Sequence, residues 1–292
     1  MGMNNWIELL INGLLLGSLY ALFALGLSLS LGVMKMINLA HGDLIVLGAY
    51  VAWTVMEATG WSALVCLAVV LPLMFCVGWL LQAVLLNRVV GAHELSPLLV
   101  TFGLSVVIQN LLLEVFSADT RHLPSGDLTL RGLDLGGVSV GVFPLLIGAV
   151  SVLMYAVMHL LVAHTHGGRQ ARAVSDDAPA ARLVGVDDKR FFALMAGLVM
   201  VVTALAAVLY GMRTPFAPMA GPERLLFAFE AVVMGGLGHL WGSFFGGLLI
   251  GLAHVLGAQV NPGLGAFFGH LTFLVVLLVR PQGLFRPFTQ KH

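Results

Sequence analysis

The chain has little charge for its length. Of its 292 residues, 59% are hydrophobic and only 10% carry a charged side chain, and the mean hydropathy is +1.00. A soluble domain has about 25% charged residues, so this chain lacks the polar surface that a soluble globule needs. The composition predicts an all-α polytopic transmembrane bundle. The net charge is zero, which argues against nucleic acid as a partner.

Few lysines, no basic residue near the N-terminus and only two cysteines exclude three further features. The only lysines are Lys35, Lys189 and Lys291, and none follows a glycine, so the chain has no phosphate-binding Gly-x-x-x-x-Gly-Lys-[Ser/Thr] loop. Residues 1–8 contain no basic residue, so no cleaved signal peptide is expected. The two cysteines, Cys66 and Cys76, would lie about 15 Å apart along one helix, too far for a disulfide.

Long apolar runs fill most of the chain. A span needs roughly 20 apolar residues, and we expect eight to ten spans in one permease-like domain over residues 1–292. The runs are Ile7–Val33, Met36–Ala58, Ser62–Leu86, Ser96–Phe116, Val140–Ala163, Phe191–Tyr210, Leu225–Gly257 with glycine interruptions, and Ala266–Val279.

Basic residues in the short loops predict the orientation. Residues 164–190 hold five of them, and the C-terminal tail adds Arg280, Arg286 and Lys291, whereas the other side has Arg121, Arg131 and Arg213. Because cytoplasmic loops carry the excess of Lys and Arg, the N-terminus is expected outside and the C-terminus in the cytoplasm.

One stretch has polar residues where an ordinary span would have Leu or Val. It places Asn38, His41 and Asp43 between two apolar runs. A second stretch, Met234–Gly247, matches it at four positions when His41 is aligned with His239. Paired interruptions in the two halves of a membrane chain indicate an internal repeat with broken helices beside a solute path.

The residues that we predict for this path or its gate combine glycines with polar groups. Glycine lowers helix propensity by about 1 kcal/mol relative to Ala, and polar side chains can satisfy the backbone groups that a broken helix frees. The alternative is that the glycines only pack helices while Asn38 and His41 cap the second span. The predicted residues are Asn38, His41, Gly42, Asp43, Gly235, Gly236, Gly238 and Glu230.

Glu230 and Asp43 allow a second interpretation. Acidic residues at membrane depth form relays in ion-coupled carriers. Glu230 lies among apolar residues, and we expect it to be paired inside the bundle, either with the nearby Arg224 or with a helix end.

The loop of residues 164–190 is the most polar part of the chain. Ser175 with Asp176 and Asp177 provides a cap and first-turn acids for a short helix, which Gly185 can end. Asp187 or Asp188 can cap the next span. The loop is either a plain connector or a docking element for a cytoplasmic partner, and a separately capped helix favours docking. The predicted coupling residues are Asp176, Asp177, Ala181, Arg182 and Gly185.

Several of these motifs together resemble the LivH-type membrane subunit of branched-chain amino acid ABC importers. The resemblance covers essentially the whole chain. Its most specific strings are Ile37–Asp43 and Arg280–Phe285. The other matching segments are Asn12–Leu22, Leu47–Tyr50, Ser175–Asp177, Leu183–Val186 and Val232–Gly238.

The resemblance implies the partners. It implies a permease in the bacterial inner (cytoplasmic) membrane that is not itself an enzyme and carries no cofactor. Its partners would be a second homologous permease or a second copy of itself, two cytoplasmic ATPase subunits that hold ATP and Mg²⁺, and a periplasmic binding protein. It also implies that the short helix at Asp176–Gly185 is the coupling loop.

The resemblance leaves the substrate open. Branched-chain or other small apolar amino acids fit a lining of Gly, Leu, Val and Met. Related permeases carry urea, short amides or other small solutes, so these stay as alternatives. The ion-coupled carrier or channel is the alternative from a different class.

Overall fold

The computed structural model describes residues 3–90, 95–129, 131–134 and 136–285. Within those ranges the chain is mainly helical, with one short hairpin. The helices are α1 Met3–Leu29, α2 His41–Thr59, α3 Ala63–Leu80, α4 Ser96–Phe116, α5 Val142–His164, α6 His166–Asp176, α7 Ala178–Leu183, α8 Asp188–Arg213, α9 Gly221–Gly235, α10 Leu240–Val260 and α11 Gly265–Val279. The antiparallel hairpin joins β1 Gly132–Asp134 to β2 Ser139–Gly141. This confirms the all-α polytopic bundle.

Seven of the described helical segments are long and apolar enough to cross a membrane. They comprise α1, α3, α4, α5, α8, α10 and α11, some with short helical extensions. The predicted count of eight to ten also included α2 and α9. The polar first turn of α2 lowers its hydropathy, and α9 has only 15 residues.

The contacts divide the described residues into two compact units. One unit comprises the described parts of 1–25, 125–155 and 227–292, and the other comprises 26–124 and 156–226, apart from undescribed residues. Helices α1, α5 and α9 contribute residues to both. The prediction of one domain over residues 1–292 stays a prediction.

In the first unit, α1 and α10 approach closely through small residues. A Cβ on Gly13 would lie 3.0 Å from Leu252 Cα, and one on Gly17 would lie 2.6 Å from Leu248 Cα. Gly247 and Gly251 repeat the four-residue spacing on α10. Such small-xxx-small patterns let helix backbones touch in a membrane, where packing rather than the hydrophobic effect drives association.

In the second unit, α8 is the central helix. It packs against α2 and α3. The side chains of Ala207 and Met200 of α8 pack against Gly48 and Gly78. The side chain of Phe75 of α3 packs against Gly197. The segments that follow α1 and α3, the helices α6 and α7, and the start of α8 share an apolar cluster. It comprises Val33, Met34, Met36, Leu86, Ala171, Val174, Ala181, Phe191, Phe192 and Met195.

Candidate gate and coupling region

The chain breaks between α1 and α2, at residues 35–40, which we call the first break. After a π-helical turn, Lys35 adopts a left-handed conformation with φ 51°. Asn38 then builds a tight turn, because its Oδ1 accepts from Ala40 N at 3.0 Å and its carbonyl accepts from His41 N at 3.2 Å. Leu39 N donates to Thr101 Oγ1 of α4 at 3.1 Å. The freed backbone groups are thus satisfied by side chains, as a broken membrane helix requires.

The predicted capping of α2 by Asn38 and His41 is wrong in its geometry. Ala40 is the N-cap residue and makes no side-chain capping bond. His41 is the first helical residue, and it is buried beside Gly26. A Cβ on Gly26 would lie 2.8 Å from His41 Cε1 and 2.9 Å from Thr203 Oγ1. Since Thr203 lies in the middle of α8, α2 begins inside the unit rather than at its end.

Asp43 is the buried carboxylate of the first turn of α2. It is 1% exposed, and its Oδ2 accepts from Ser105 Oγ at 2.5 Å. Gln109 Nε2 donates to Ser105 Oγ at 3.0 Å. Among the described residues, Asp43 Oδ1 has no hydrogen-bond partner. A buried carboxylate with an unsatisfied oxygen is costly unless other charge compensates it.

The first turn of α9 supplies that compensation. A Cβ on Gly221, the first residue of α9, would overlap Asp43 Oδ1, and a Cβ on Gly42 would overlap Gly221 O and lie 2.7 Å from Leu225 N. Each helix N-terminus carries about half a positive elementary charge. Asp43 therefore lies where two helix N-termini meet backbone to backbone, and their positive ends favour a carboxylate there.

The second break, residues 236–239, separates α9 from α10. Gly236 and Gly238 have φ values of 103° and 78°, which favour glycine. Gly235, at the end of α9, packs directly against the backbone of Gly242. His239 is the N-cap of α10, and its Nδ1 accepts from Gly242 N at 2.9 Å. Burial lowers the pKa of His239. Capping by a histidine, predicted for His41, occurs here instead.

The C-terminal segment Arg280–Phe285 lies against the second break. Leu284 N donates to Met234 O at 2.8 Å, and Phe285 N donates to Gly235 O at 3.3 Å. The Phe285 ring stacks on His239 with centroids 5.3 Å apart. These bonds satisfy carbonyls that the end of α9 leaves open. Both segments are recognisable in the sequence, but nothing in the sequence predicts that they touch.

Glu230 pairs with a different residue than expected. Its Oε1 lies 2.8 Å from His270 Nδ1 on α11, whereas Arg224 pairs with Glu223 at 2.8 Å. Arg224 and Glu230 are six positions apart on α9, which are not neighbours on a helix surface. Phe227 stacks on His270 with centroids 5.1 Å apart. The carboxylate is therefore held inside one unit by an imidazole.

The predicted path residues form two groups. Asn38, His41, Gly42 and Asp43 lie together in the second unit, at the first break. The other four lie in the first unit, at or before the second break; they are Glu230, Gly235, Gly236 and Gly238. Each aligned histidine stands at the start of a helix.

Sequence reasoning missed the polar stripe of α4. Thr101, Ser105 and Gln109 recur every four residues, so they share one helix face. Two of them contact the first break and Asp43. Their four-residue spacing along one face of the span was the signal that could have revealed them.

The loop of residues 164–190 contains two helices rather than the one predicted. Thr165 caps α6, with its Oγ1 accepting from Gly168 N at 3.0 Å. Asp177 caps α7, with its Oδ1 accepting from Ala180 N at 3.0 Å. Ser175 does not cap, since its hydroxyl donates to Gly32 O at 2.9 Å. Gly185 ends the segment with φ 88°, as expected.

The predicted coupling residues differ in accessibility. Asp176 ends α6, and Arg182 binds Asp188 through two bonds of 3.0 and 2.6 Å. Ala181 is 3% exposed within the apolar cluster, so a partner cannot contact it. The other four predicted residues, Asp176, Asp177, Arg182 and Gly185, are exposed. Leu183 and Val184 beside them are 90% and 79% exposed. The sequence signal for this surface was the apolar pair Leu183–Val184 directly before Gly185 in a polar loop.

Comparison with known proteins places the chain in a family. The model for "Branched-chain amino acid transport system / permease component" matches residues 9–279. The chain belongs to this permease family.

Two relatives match the permease over nearly its whole length. The high-affinity branched-chain amino acid transport system permease protein BraD of Pseudomonas aeruginosa is 30% identical over 303 residues, covering 98% of each chain. LivH of Escherichia coli K12, described by the same words, is 30% identical over 304 residues, covering 98% of the permease and 97% of LivH. The fructose import permease protein FrcC of Rhizobium meliloti is 26% identical over 186 residues, 57% of the permease and 49% of FrcC.

Proposed function

We propose that this permease translocates branched-chain amino acids as the membrane subunit of a binding-protein-dependent importer in a bacterial inner membrane. The similarity to BraD and LivH over 98% of the chain supports this function most directly. Urea, short amides and sugars are the alternatives for the substrate, and FrcC, a fructose permease, matches over about half of the chain.

The energy would come from other subunits. With no phosphate-binding loop in its sequence, the permease needs two cytoplasmic ATPase subunits to bind ATP and Mg²⁺. A second homologous permease, or a second copy of this one, would complete the membrane part. A periplasmic binding protein would deliver the solute. The N-terminus would lie outside and the C-terminus in the cytoplasm.

The coupling surface would be the tip of α7. Leu183 and Val184 are exposed, while Ala181 and the Arg182–Asp188 pair fix the tip to α8. Large exposed apolar side chains outside the membrane mark an interaction site. Asp176, Asp177 and Gly185 are exposed as well and would belong to the same coupling surface.

Each break would act as a hinge in gating. At the first break, Asp43 holds the first turns of α2 and α9 together with help from Ser105. At the second, Gly236 and His239 set the angle at which α10 leaves α9. Loops and helix ends that absorb backbone changes act as hinges in transporters.

Reconstitution tests the proposal. The permease alone in liposomes should not concentrate leucine under a proton or sodium gradient, and the complete complex with binding protein and ATP should. Uphill uptake by the isolated chain would establish the ion-coupled carrier instead. Thermal-shift screening of the cognate binding protein against leucine, isoleucine, valine, urea, acetamide and fructose identifies the substrate, and stabilisation by the last three alone would overturn the amino-acid assignment.

A further inference from the structure

A groove of about 260 Å³ opens between the end of the α3 segment and the start of α8. After α3, a π-helical turn and a short 3₁₀ turn carry the segment to Arg88. The groove is lined by Trp79, Ala83, Asn87, Arg88, Lys189, Arg190 and Ala193.

The groove lies where two apolar spans meet the membrane surface. The spans run over Ala63–Arg88 and Asp188–Arg213, so Arg88 is the last residue of one, and Lys189 is the second residue of the other. Lipid phosphates occupy this boundary, and Lys, Arg and Trp are the side chains that settle there. The three cations of the groove therefore stand at headgroup level.

The groove is rigidly built. The Asn87 side-chain amide donates to Lys189 O at 3.0 Å, and its Oδ1 accepts from Gln82 at 3.0 Å. The bond to Lys189 O joins the two elements that carry the cations. Arg190 is paired with Asp187 at 3.0 Å. Within residues 3–90, 95–129, 131–134 and 136–285, neither Arg88 nor Lys189 has a carboxylate partner.

Helix stability does not account for the cations on α8. Lys189 and Arg190 occupy its first turn, where the positive end of the helix dipole favours acids and disfavours bases. Asp187 already caps this N-terminus and pairs with Arg190, so an anion in the groove would meet Lys189 and Arg88. The general excess of Lys and Arg in cytoplasmic loops is another explanation for these basic residues. The experiments below distinguish it from binding of an anion.

The part of the groove that Trp79, Ala83 and Ala193 line is apolar. Ala83 and Ala193 leave room beside the Trp79 indole, and Leu80 and Val84 face outward. We propose that the groove binds an anionic phospholipid, with the headgroup phosphate between Arg88 and Lys189 and an acyl chain along Trp79. A soluble phosphate would use the cations but not this apolar wall.

The first experiment measures thermal unfolding of the full-length permease in a neutral detergent. Phosphatidylglycerol should raise the midpoint by several degrees, whereas phosphatidylcholine should leave it unchanged. Glycerophosphoglycerol and inorganic phosphate, at equal concentrations, should also leave it unchanged. Equal stabilisation by either soluble phosphate would assign the groove to a soluble anion and overturn the lipid.

The second experiment localises the effect. Each basic side chain near an anionic surface contributes about fivefold in affinity, so Arg88→Gln with Lys189→Gln should raise the half-saturating phosphatidylglycerol concentration about 30-fold. Arg131→Gln, at an exposed loop arginine, should leave it unchanged. Trp79→Leu should weaken the lipid effect, and Trp61→Leu, at a similarly exposed indole, should not.

Two outcomes would overturn the site. An unchanged lipid response in the double variant would show that phosphatidylglycerol acts through the general lipid annulus. Loss of co-purifying ATPase with an unchanged lipid response would assign the groove to an acidic segment of that subunit. If the double variant does not fold, the single variants Arg88→Gln and Lys189→Gln replace it, each with an expected fivefold loss.

Discussion

At the scale of single residues, the contact between Gly42 and Gly221 is the most sensitive to change. Gly42→Ala places a methyl group on Gly221 O, and the obstructing atoms are backbone. Overpacking of this kind costs about 1–3 kcal/mol. We expect a lower unfolding midpoint in detergent and at least tenfold slower transport in the assembled complex.

Gly103→Ala is the matched control for this prediction. Gly103 is also helical, but a Cβ there has no neighbour within 4 Å among the described residues. Alanine improves helix propensity by about 1 kcal/mol, so stability should hold or rise and transport should persist. Similar losses in both variants would refute the steric argument.

His239 makes stability depend on pH. Burial lowers the pKa of His239 below its usual 6.5, and protonation would turn the Nδ1 acceptor into a donor facing Gly242 N. Below about pH 6.5 the unfolded chain protonates His239, whereas the folded chain keeps it neutral. The contribution of His239 to the free energy of unfolding therefore falls as the pH drops towards the folded pKa.

The measurement is the unfolding midpoint between pH 7.5 and 5.5. His239→Asn keeps a capping oxygen without a titrating group, so its midpoint should fall less over this range than that of the unaltered permease. His164→Asn, at an exposed histidine, should keep the original slope. An unaltered slope in His239→Asn would remove His239 as the cause.

Residue-level reasoning identified the buried carboxylates but not all of their partners. Asp43 and Glu230 stood out because a charge is costly in an apolar run. Their partners, Ser105 and His270, lie on other helices, and a single sequence gives no signal of which helices touch. Arg224 was one of the two partners considered for Glu230, because it is near in sequence.

At the scale of secondary-structure elements, the residues that cap or end helices were predicted better than the number of helices. Asp187 caps α8 and Gly185 ends the preceding segment, both as expected. The start of α6 was missed because Gly167 and Gly168 lower helix propensity. The Thr165 cap overrides that preference, and residues 164–190 therefore hold two helices.

The tip of α7 gives the element-scale prediction. Leu183→Ser removes an exposed apolar side chain without touching the core, so the permease should fold normally but retain much less ATPase on purification. Leu133→Ser, at an exposed leucine of β1, is the control and should retain the ATPase. Normal ATPase recovery with Leu183→Ser would exclude this tip as the docking surface.

Ala181 cannot serve the same purpose. Ala181→Arg would place a guanidinium in the apolar cluster around Phe191, and burying an unpaired charge is strongly destabilising. Loss of ATPase binding in that variant would report a disrupted loop rather than a lost contact.

At the scale of the whole molecule, the orientation can be tested with single cysteines. In a background with Cys66→Ser and Cys76→Ser, Thr129→Cys and Ala173→Cys place thiols in the two largest loops at exposed positions. A membrane-impermeant maleimide added to spheroplasts should label Thr129→Cys directly and Ala173→Cys only after permeabilisation. The reverse pattern would invert the predicted orientation.

The membrane class follows from composition, whereas the arrangement of the helices does not. Ten per cent charge excludes a soluble globule. The spans Ala63–Arg88 and Asp188–Arg213 are almost equally apolar, yet few residues of the first and most residues of the second are buried, so hydropathy cannot distinguish them. Close approach through glycines decides which helices pack together, and glycine positions alone do not name the opposite helix.

The backbone contact between Gly42 and Gly221 also limits genetic rescue. When two side chains clash, a smaller residue at one position can restore room for a larger one at the other. Here the opposing atoms are main chain, and glycine is already the smallest residue. Second-site suppressors of Gly42→Ala should therefore never map to Gly221. A selection for restored uptake should recover true revertants, or changes elsewhere that shift the first turn of α9 as a whole.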